Sequence, residues 1–269
     1  MTGLQAARLL DVRSLGVAAA DGTPLVHEVS LTVEPGERVG LIGESGSGKS
    51  LTSFAVTGLL PSGLTASGSA ILDGVEVVGA RERDLVPLRG RTASVVFQEP
   101  LTALDPLMRL GKQVAAPLKR HLGLRGAALR SAVIDALAEV SLPDPERIAK
   151  AYPHEISGGQ RQRVAIAAAL ACRPRLLIAD EPTTALDVTV QDEILTLLDS
   201  LVAERGMALL FVSHDLAVVA RMTDRALVLR HGRVVEAGPV ETLLSAPTDP
   251  YTVELVRSAR ALDAALEVS

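Results

Sequence analysis

Eight consecutive residues, Gly43 to Ser50 (GESGSGKS), fit the pattern G-x-x-x-x-G-K-[ST], and each residue type has a chemical use there. Glycines let backbone N–H groups curl around a β-phosphate, and a helix starting after them directs its positive end at the same anion. The ammonium of Lys49 can neutralise β- and γ-phosphates, and the hydroxyl of Ser50 can sit on Mg²⁺. The competing account is a chance glycine turn, but four specified positions arise by accident in about one chain in a hundred or fewer. The frame also fits, since the apolar run from Glu37 to Ile42 (ERVGLI) precedes the loop and a helix-forming stretch follows it.

A second group of residues ends in acids. Leu176 to Glu181 read LLIADE, an apolar strand that would present Asp180 at its carboxyl end, where α/β sheets hold ligands. Asp180 can serve a magnesium shell, and Glu181 can orient or deprotonate an attacking water. Many strands end in acids, so the pair gains meaning from the glycine loop. Ile156 to Arg163 (ISGGQRQR) give Ser157 as an N-cap and two glycines that bare a helix start, a second place for a phosphate. Gln98 ends the strand SVVFQ, and His214 follows the strand ALLFVS. Taken singly, a Gln or His at a strand end is more often structural, as is a buried lone cysteine such as Cys172.

These groups need strands and helices to hold them. LLDVRSLGV, LVHEVSLTV and ERVGLIG read as β, with turns at Asp21-Gly22 and Pro35-Gly36. KSLTSFAVTGLL after the glycine loop reads as a helix closed by Pro61. Short strands are expected at Ser69 to Leu72 and Thr92 to Phe97. A charged helical stretch then runs from Pro106 to Ala151, with breaks at Pro117, Gly123 and Pro143. Further helices are expected from Gly158 to Cys172 and from Thr189 to Glu204, with RLLIAD and ALLFVS as strands. Strands alternating with helices predict an α/β core with a parallel sheet, and residues 100–172 read as a helical insertion.

Composition narrows the function classes. The 269 residues are 48% hydrophobic and 22% charged, with 32 acidic and 27 basic side chains and a net charge of −5. That content excludes disorder and disfavours nucleic-acid binding by bulk positive charge. One cysteine excludes an intramolecular disulfide and a cysteine-only metal cluster, and His121, His154 and His231 show no metal-ligand spacing. The run Arg81-Glu82-Arg83-Asp84 reads as a solvated surface. The best apolar run, Val164 to Cys172, is nine residues between Arg163 and Arg173, whereas a spanning helix needs about twenty. The opening MTGLQAARLLDVRS lacks the apolar core of a secretory signal. The expectation is a cytosolic protein that reaches a membrane only through a partner.

In their order along the chain, these stretches resemble the ABC-type ATPases over essentially the whole sequence. Walker A matches Gly43, Glu44, Ser45, Gly46, Ser47, Gly48, Lys49 and Ser50, with Leu51 beside them, and the Q-loop glutamine matches Gln98. The signature matches Ser157, Gly158, Gly159 and Gln160, and Walker B with its glutamate matches Asp180 and Glu181. The D-loop matches Ala185, Leu186 and Asp187, and the switch histidine matches His214. The resemblance implies a P-loop NTPase core with a mainly parallel sheet, an N-terminal antiparallel β subdomain and an inserted α-helical subdomain. It implies one domain over residues 1–269, with residues 1–99 and 173–269 as core and 100–172 as the helical part. ATP and Mg²⁺ are the implied cofactors, with Ser50, Gln98 and Asp180 around the metal and Glu181, His214 and Gln98 catalytic. Two ATPase subunits would pair head to tail, so that Ser157, Gly158, Gly159, Gln160 and Asp187 serve the partner's nucleotide.

Within that family, FQEPLTALDP, YPHEISGGQRQR, ADEPTTALDVTVQ and the tail SAPTDPYTVELV resemble the ATPase subunits of peptide and nickel importers. The implied role is a motor on the cytoplasmic face of the membrane, working with two permease subunits and an extracytoplasmic substrate-binding protein, without nucleic acid. Many peptide-importer ATPases carry a cysteine-rich extension, and its absence from these residues keeps nickel or a metal–ligand complex beside peptides as cargo. A soluble ABC ATPase acting on nucleic acid or ribosomes is the alternative. Such proteins usually carry a coiled-coil insert, zinc cysteines or two ATPase domains, none of which is seen in this sequence.

The family usually stacks an early aromatic on adenine, but no Phe, Tyr or Trp precedes Phe54, and Ala18-Ala19-Ala20 occupies the expected place. His27 is the only nearby ring, either a substitute or a residue simply exposed on a strand. Discrimination of ATP from GTP should therefore be loose. Competition titrations should give a preference under 100-fold, about 2.7 kcal/mol. A larger preference would mean that another group reads the base, with His27→Ala as the next measurement.

Overall fold

The computed structural model describes residues 8–98, 104–184 and 186–266, the last six as backbone. The first seven residues of the N-terminal stretch lie outside it. The chain divides into two compact units, Met1–Leu85 with Ala208–Ser269, and Val86–Met207.

The first unit joins both ends of the chain. β1 (Leu10–Ala19), β2 (Pro24–Val33), β4 (Leu64–Leu72) and β5 (Val75–Glu76) form an antiparallel sheet in the order β2-β1-β4-β5. Alternation sets its buried face, with Val12, Leu15, Val17, Val26, Val29, Leu31 and Val33 under 6% exposed. β3 (Arg38–Ile42) lies parallel to both β8 (Ala208–Ser213) and β9 (Arg225–Arg230), and β10 (Arg233–Pro239) closes that side antiparallel to β9. β8 is buried from end to end, as a parallel strand covered on both faces requires. Helices α1 (Lys49–Ala55), α2 (Glu82–Leu85), α8 (Leu216–Met222), α9 (Val240–Ser245) and α10 (Pro250–Leu266) complete the unit. Arg225 ties the two sheets by donating from Nε to Glu37 at 2.6 Å and from NH2 to the Thr32 carbonyl at 2.5 Å.

α1 stops earlier than KSLTSFAVTGLL predicts. Gly58, at φ 64°, donates to the Ala55 carbonyl at 3.1 Å, and Leu59 donates to Phe54 at 2.8 Å. That paired pattern terminates a helix at a left-handed glycine, well before Pro61.

In the second unit, β6 (Ala93–Val96) and β7 (Leu176–Asp180) run parallel, with Ala93 opposite Leu176 and Val96 opposite Ala179. The described α-helices here are α3 (Leu110–Leu122), α4 (Gly126–Glu139), α5 (Pro145–Lys150), α6 (Gly158–Leu170) and α7 (Val188–Arg205). The break expected at Pro117 is absent, since Pro117 lies inside α3. It removes one N–H donor, but Leu110, Val114 and Leu118, four residues apart, bury one face and hold the helix together. Gly123 does end α3, in the left-handed region at φ 66°. Among the described residues, no helix is long and apolar enough to cross a membrane.

Phe211, in β8, is the largest fully buried side chain after Tyr251 among the described residues. Phe211→Ala should cost about 3–5 kcal/mol, read as a lower midpoint in urea unfolding. A loss under about 1 kcal/mol would mean that the core collapses around the gap.

Candidate functional site

In the first unit β3 delivers the chain into the glycine loop. Gly43 sits at φ 154°, and a Cβ there would overlap the Leu229 carbonyl oxygen and come within 2.8 Å of Ser47 Oγ. Gly48, at φ 98°, caps α1, and its missing Cβ leaves room for Val26. Between them Glu44, Ser45 and Gly46 are exposed, while Ser47, Gly48 and Lys49 are buried. The ladder of α1 begins with Thr52 N–H to the Gly48 carbonyl, 2.9 Å, so Lys49, Ser50 and Leu51 form its first turn.

Lys49 is only 4% exposed, yet it carries a charge. Its Nζ donates to the Gly43 carbonyl at 2.7 Å and to the Glu44 carbonyl at 2.8 Å. The loop is gripped from outside as well. Glu44 N–H donates to Tyr251 Oη at 2.9 Å, and Gly232 N–H donates to the Ser47 carbonyl at 3.0 Å. The P-loop residues predicted from the sequence thus stand together in one cradle.

His214 is exposed on the loop after β8. Its neighbours make the loop stiff: Asp215 N–H donates to Ser213 Oγ at 3.0 Å, and Asp215 Oδ1 accepts from Ala217 and Val218 at the start of α8. His27 is half-buried. Its N–H donates to the Gly232 carbonyl at 2.7 Å, and its ring lies so close that a Cβ on Gly232 would meet it at 2.9 Å.

The second unit brings Gln98 and Glu181 together. The register that sets Val96 opposite Ala179 places each two residues beyond that pair. Gln98 Nε2 donates to Glu181 Oε2 at 3.3 Å, and Thr184 Oγ1 donates to the same oxygen at 3.0 Å. Glu181 takes a left-handed φ of 46°, an uncommon state for a side chain of this kind, and it leaves β7 there. Asp180, 2% exposed, ends that strand.

Ser157 caps α6 as expected. Its Oγ accepts from Gln160 N–H at 3.3 Å while Gln160 Oε1 accepts from Ser157 N–H at 3.1 Å, so each residue satisfies an end group of the other. Ser157 and Gly158 are exposed. Gly159 has a packing reason as well, because a Cβ there would lie 2.7 Å from Val190 Cγ1 on α7. Asp187 caps α7 by accepting from Val190 N–H at 3.0 Å. His154 stacks on Tyr152, with ring centroids 5.7 Å apart. Ala185 of the expected D-loop and residues 99–103 of FQEPLTALDP lie outside the described residues. Thr184 and Tyr251 were missed as site residues. Both lie in stretches singled out above, PTTALD and DPYT, yet a hydroxyl's partner cannot be read from its neighbours in sequence.

Comparison with known proteins agrees on the family. The sequence profile of the ABC transporter family matches residues 26–184. A putative peptide import ATP-binding protein of Brucella ovis is 47% identical over 250 residues, 90% of this chain and 74% of that protein. The oligopeptide transport ATP-binding protein OppD of Salmonella typhimurium is 45% identical over 258 residues, 95% of this chain and 77% of it. The peptidoglycan transport ATP-binding protein YejF of Agrobacterium fabrum is 47% identical over 253 residues, and the chain spans only 46% of its length. Among solved structures, the dimeric ATP-binding cassette MJ0796 bound to ADP and Pi superposes with a TM-score of 0.74 at 29% identity, covering 86% of this chain and 98% of that one. The cassette cbiO1 of Clostridium perfringens, part of the ABC transporter complex cbiONQ, gives 0.75 at 27% identity, covering 95% and 99%.

Proposed function

Because the chain belongs to the ABC transporter family of ATP-binding proteins, we propose that it is the ATP-hydrolysing motor of an importer that takes up peptides. The observation that carries hydrolysis is the cluster in which Gln98 and Thr184 both donate to Glu181 Oε2. Two donors on one carboxylate oxygen fix the orientation of the group, as a base that must meet a water in one geometry requires. The peptide cargo comes from the names of relatives similar over nine-tenths of the chain.

The residues fit the nucleotide chemistry. Gly43 lets the loop pass the Leu229 carbonyl, where a Cβ would collide, and Lys49 is held with its Nζ on two carbonyl oxygens of the loop. Gly43 to Leu51 would wrap the phosphates, with Lys49 taking the negative charge of the β and γ groups. Ser50, Gln98 and Asp180 offer the oxygen atoms that a hard cation takes, and Mg²⁺, when bound, would offset the negative charge of the phosphates. Glu181 takes the water's proton, and His214 holds the γ-phosphate side of the site. Ser157, Gly158, Gly159, Gln160 and Asp187 serve the nucleotide of a second ATPase subunit in a head-to-tail dimer. In this reading the helices within residues 100–172 pass the dimer's motion to two permease subunits, at the cytoplasmic face of the membrane. A binding protein outside delivers the cargo.

Glu181→Gln keeps the shape and removes the base. ATP should still bind while turnover falls about 10²-fold or more. Near-normal hydrolysis would remove Glu181 from that role.

The composite site is best tested at Ser157. Replacing Gly159 would press a side chain on Val190, whereas Ser157→Asp keeps an equally good helix cap and adds a negative charge. The isolated chain should bind ATP as before, and hydrolysis at concentrations where the wild type dimerises should drop at least about tenfold, as like charges meet. Full hydrolysis by Ser157→Asp would exclude a phosphate at this helix start.

A further inference from the structure

We propose that Tyr251 is a positioning residue of the P-loop, held by a closed circuit of contacts between the C-terminal helix and the β9–β10 hairpin. The proposal rests on Gly43 to Leu51 being the nucleotide site.

The circuit can be followed residue by residue. Tyr251 is 1% exposed, at the second position of α10. Its hydroxyl oxygen accepts from Glu44 N–H, across 207 positions of sequence, at 2.9 Å. The guanidinium of Arg230 lies 4.7 Å from the centre of the Tyr251 ring. Arg230 ends β9, and two residues on Gly232 N–H donates to the Ser47 carbonyl. The hairpin therefore touches the loop at Ser47 and the tyrosine at Arg230. The Leu229 carbonyl closes on Gly43 in the same hairpin.

The return path runs along β10. Glu236 accepts from Thr248 N–H at 2.8 Å, from Thr248 Oγ1 at 2.8 Å, and from Asp249 N–H at 3.1 Å. Asp249 then caps α10 by accepting from Tyr251 N–H at 2.8 Å. Burial raises the pKa of Glu236, but hydrogen bonds from the 248–252 segment outweigh it and hold the carboxyl at about 2. The carboxylate stays ionised across the physiological range, so the start of α10 stays anchored.

The function of the circuit follows from which N–H it engages. Glu44 N–H points to Tyr251, so the peptide between Gly43 and Glu44 has a fixed orientation. The Gly43 and Glu44 carbonyls on either side of that N–H are the ones that hold Lys49 Nζ. A loop with that peptide free to rotate would have to be ordered on binding, at a cost to affinity. Tyr251 thus acts through Glu44 and Lys49, before any chemistry.

Tyr251→Phe keeps the ring under Arg230 and deletes only the acceptor. In the full chain, calorimetry should show ATP and ADP both binding about 3- to 10-fold more weakly, the worth of one neutral hydrogen bond. KM should rise with it, and kcat should move less. The Glu44 amide, followed by NMR hydrogen exchange, should exchange faster, while amides of the β6–β7 pair keep their rates. Unchanged affinity with unchanged Glu44 exchange would overturn the proposal, as would a fall in kcat with KM unmoved. If Tyr251→Phe melts early, Glu236→Gln decides: faster Glu44 exchange supports the circuit, and the wild-type rate overturns it. Lys49→Ala separates this from the nucleotide site itself, since undiminished ATP affinity there would refute the P-loop reading whatever Tyr251→Phe does.

Discussion

The buried ammonium of Lys49 is the constraint on which the nucleotide-binding unit depends. A cation that is 4% exposed costs several kcal/mol unless oxygens replace its water. The Gly43 and Glu44 carbonyls do so at 2.7 and 2.8 Å. They can point inward only if the backbone of Gly43 takes a conformation that side chains avoid, and only if nothing stands where the Leu229 carbonyl closes on it. One buried charge thus dictates a glycine, the path of β9 beside β3, and the hairpin turn that follows.

A second constraint, strand register, governs the other unit. β6 and β7 are parallel, so a shared offset from the last pair brings Gln98 and Glu181 side by side without any sequence signal linking them. The left-handed φ of Glu181 then turns the chain so that Thr184 reaches the same oxygen. Helix caps do comparable work at α6 and α7, where Ser157 and Asp187 end the chain's irregular stretches and start helices with their side-chain oxygens engaged.

Local chemistry was legible in the sequence. The glycine loop, the apolar strands from 38 to 42, 176 to 180 and 208 to 213, and the Ser157 cap each announce themselves within a few residues. The departures came where a distant or collective term prevailed. Pro117 should break a helix, yet the buried face of Leu110, Val114 and Leu118 outweighs the lost N–H. Gly58 ended α1 before Pro61 could, because the left-handed turn at a glycine satisfies two carbonyls at once. Gly159 read as room for a phosphate, and the methyl of Val190 shows that the room is also needed within the chain. Tyr251 carried no local sign of its partner, since its bond to Glu44 spans 207 positions.

That last distance bears on where the nucleotide machinery ends. The shared family profile covers residues 26–184, and it includes the glycine loop, the signature and the acid pair. Leu229, Arg230, Gly232, Glu236 and Tyr251 all lie beyond it, yet they are the residues that grip the loop from behind. Their contacts are generic ones, because a backbone N–H can donate to any well-placed oxygen and a carbonyl can accept from any N–H. A structure can therefore place a support where a profile is silent. That support is possible because α10, which bonds Glu44, belongs to the same unit as the glycine loop despite its distance in sequence.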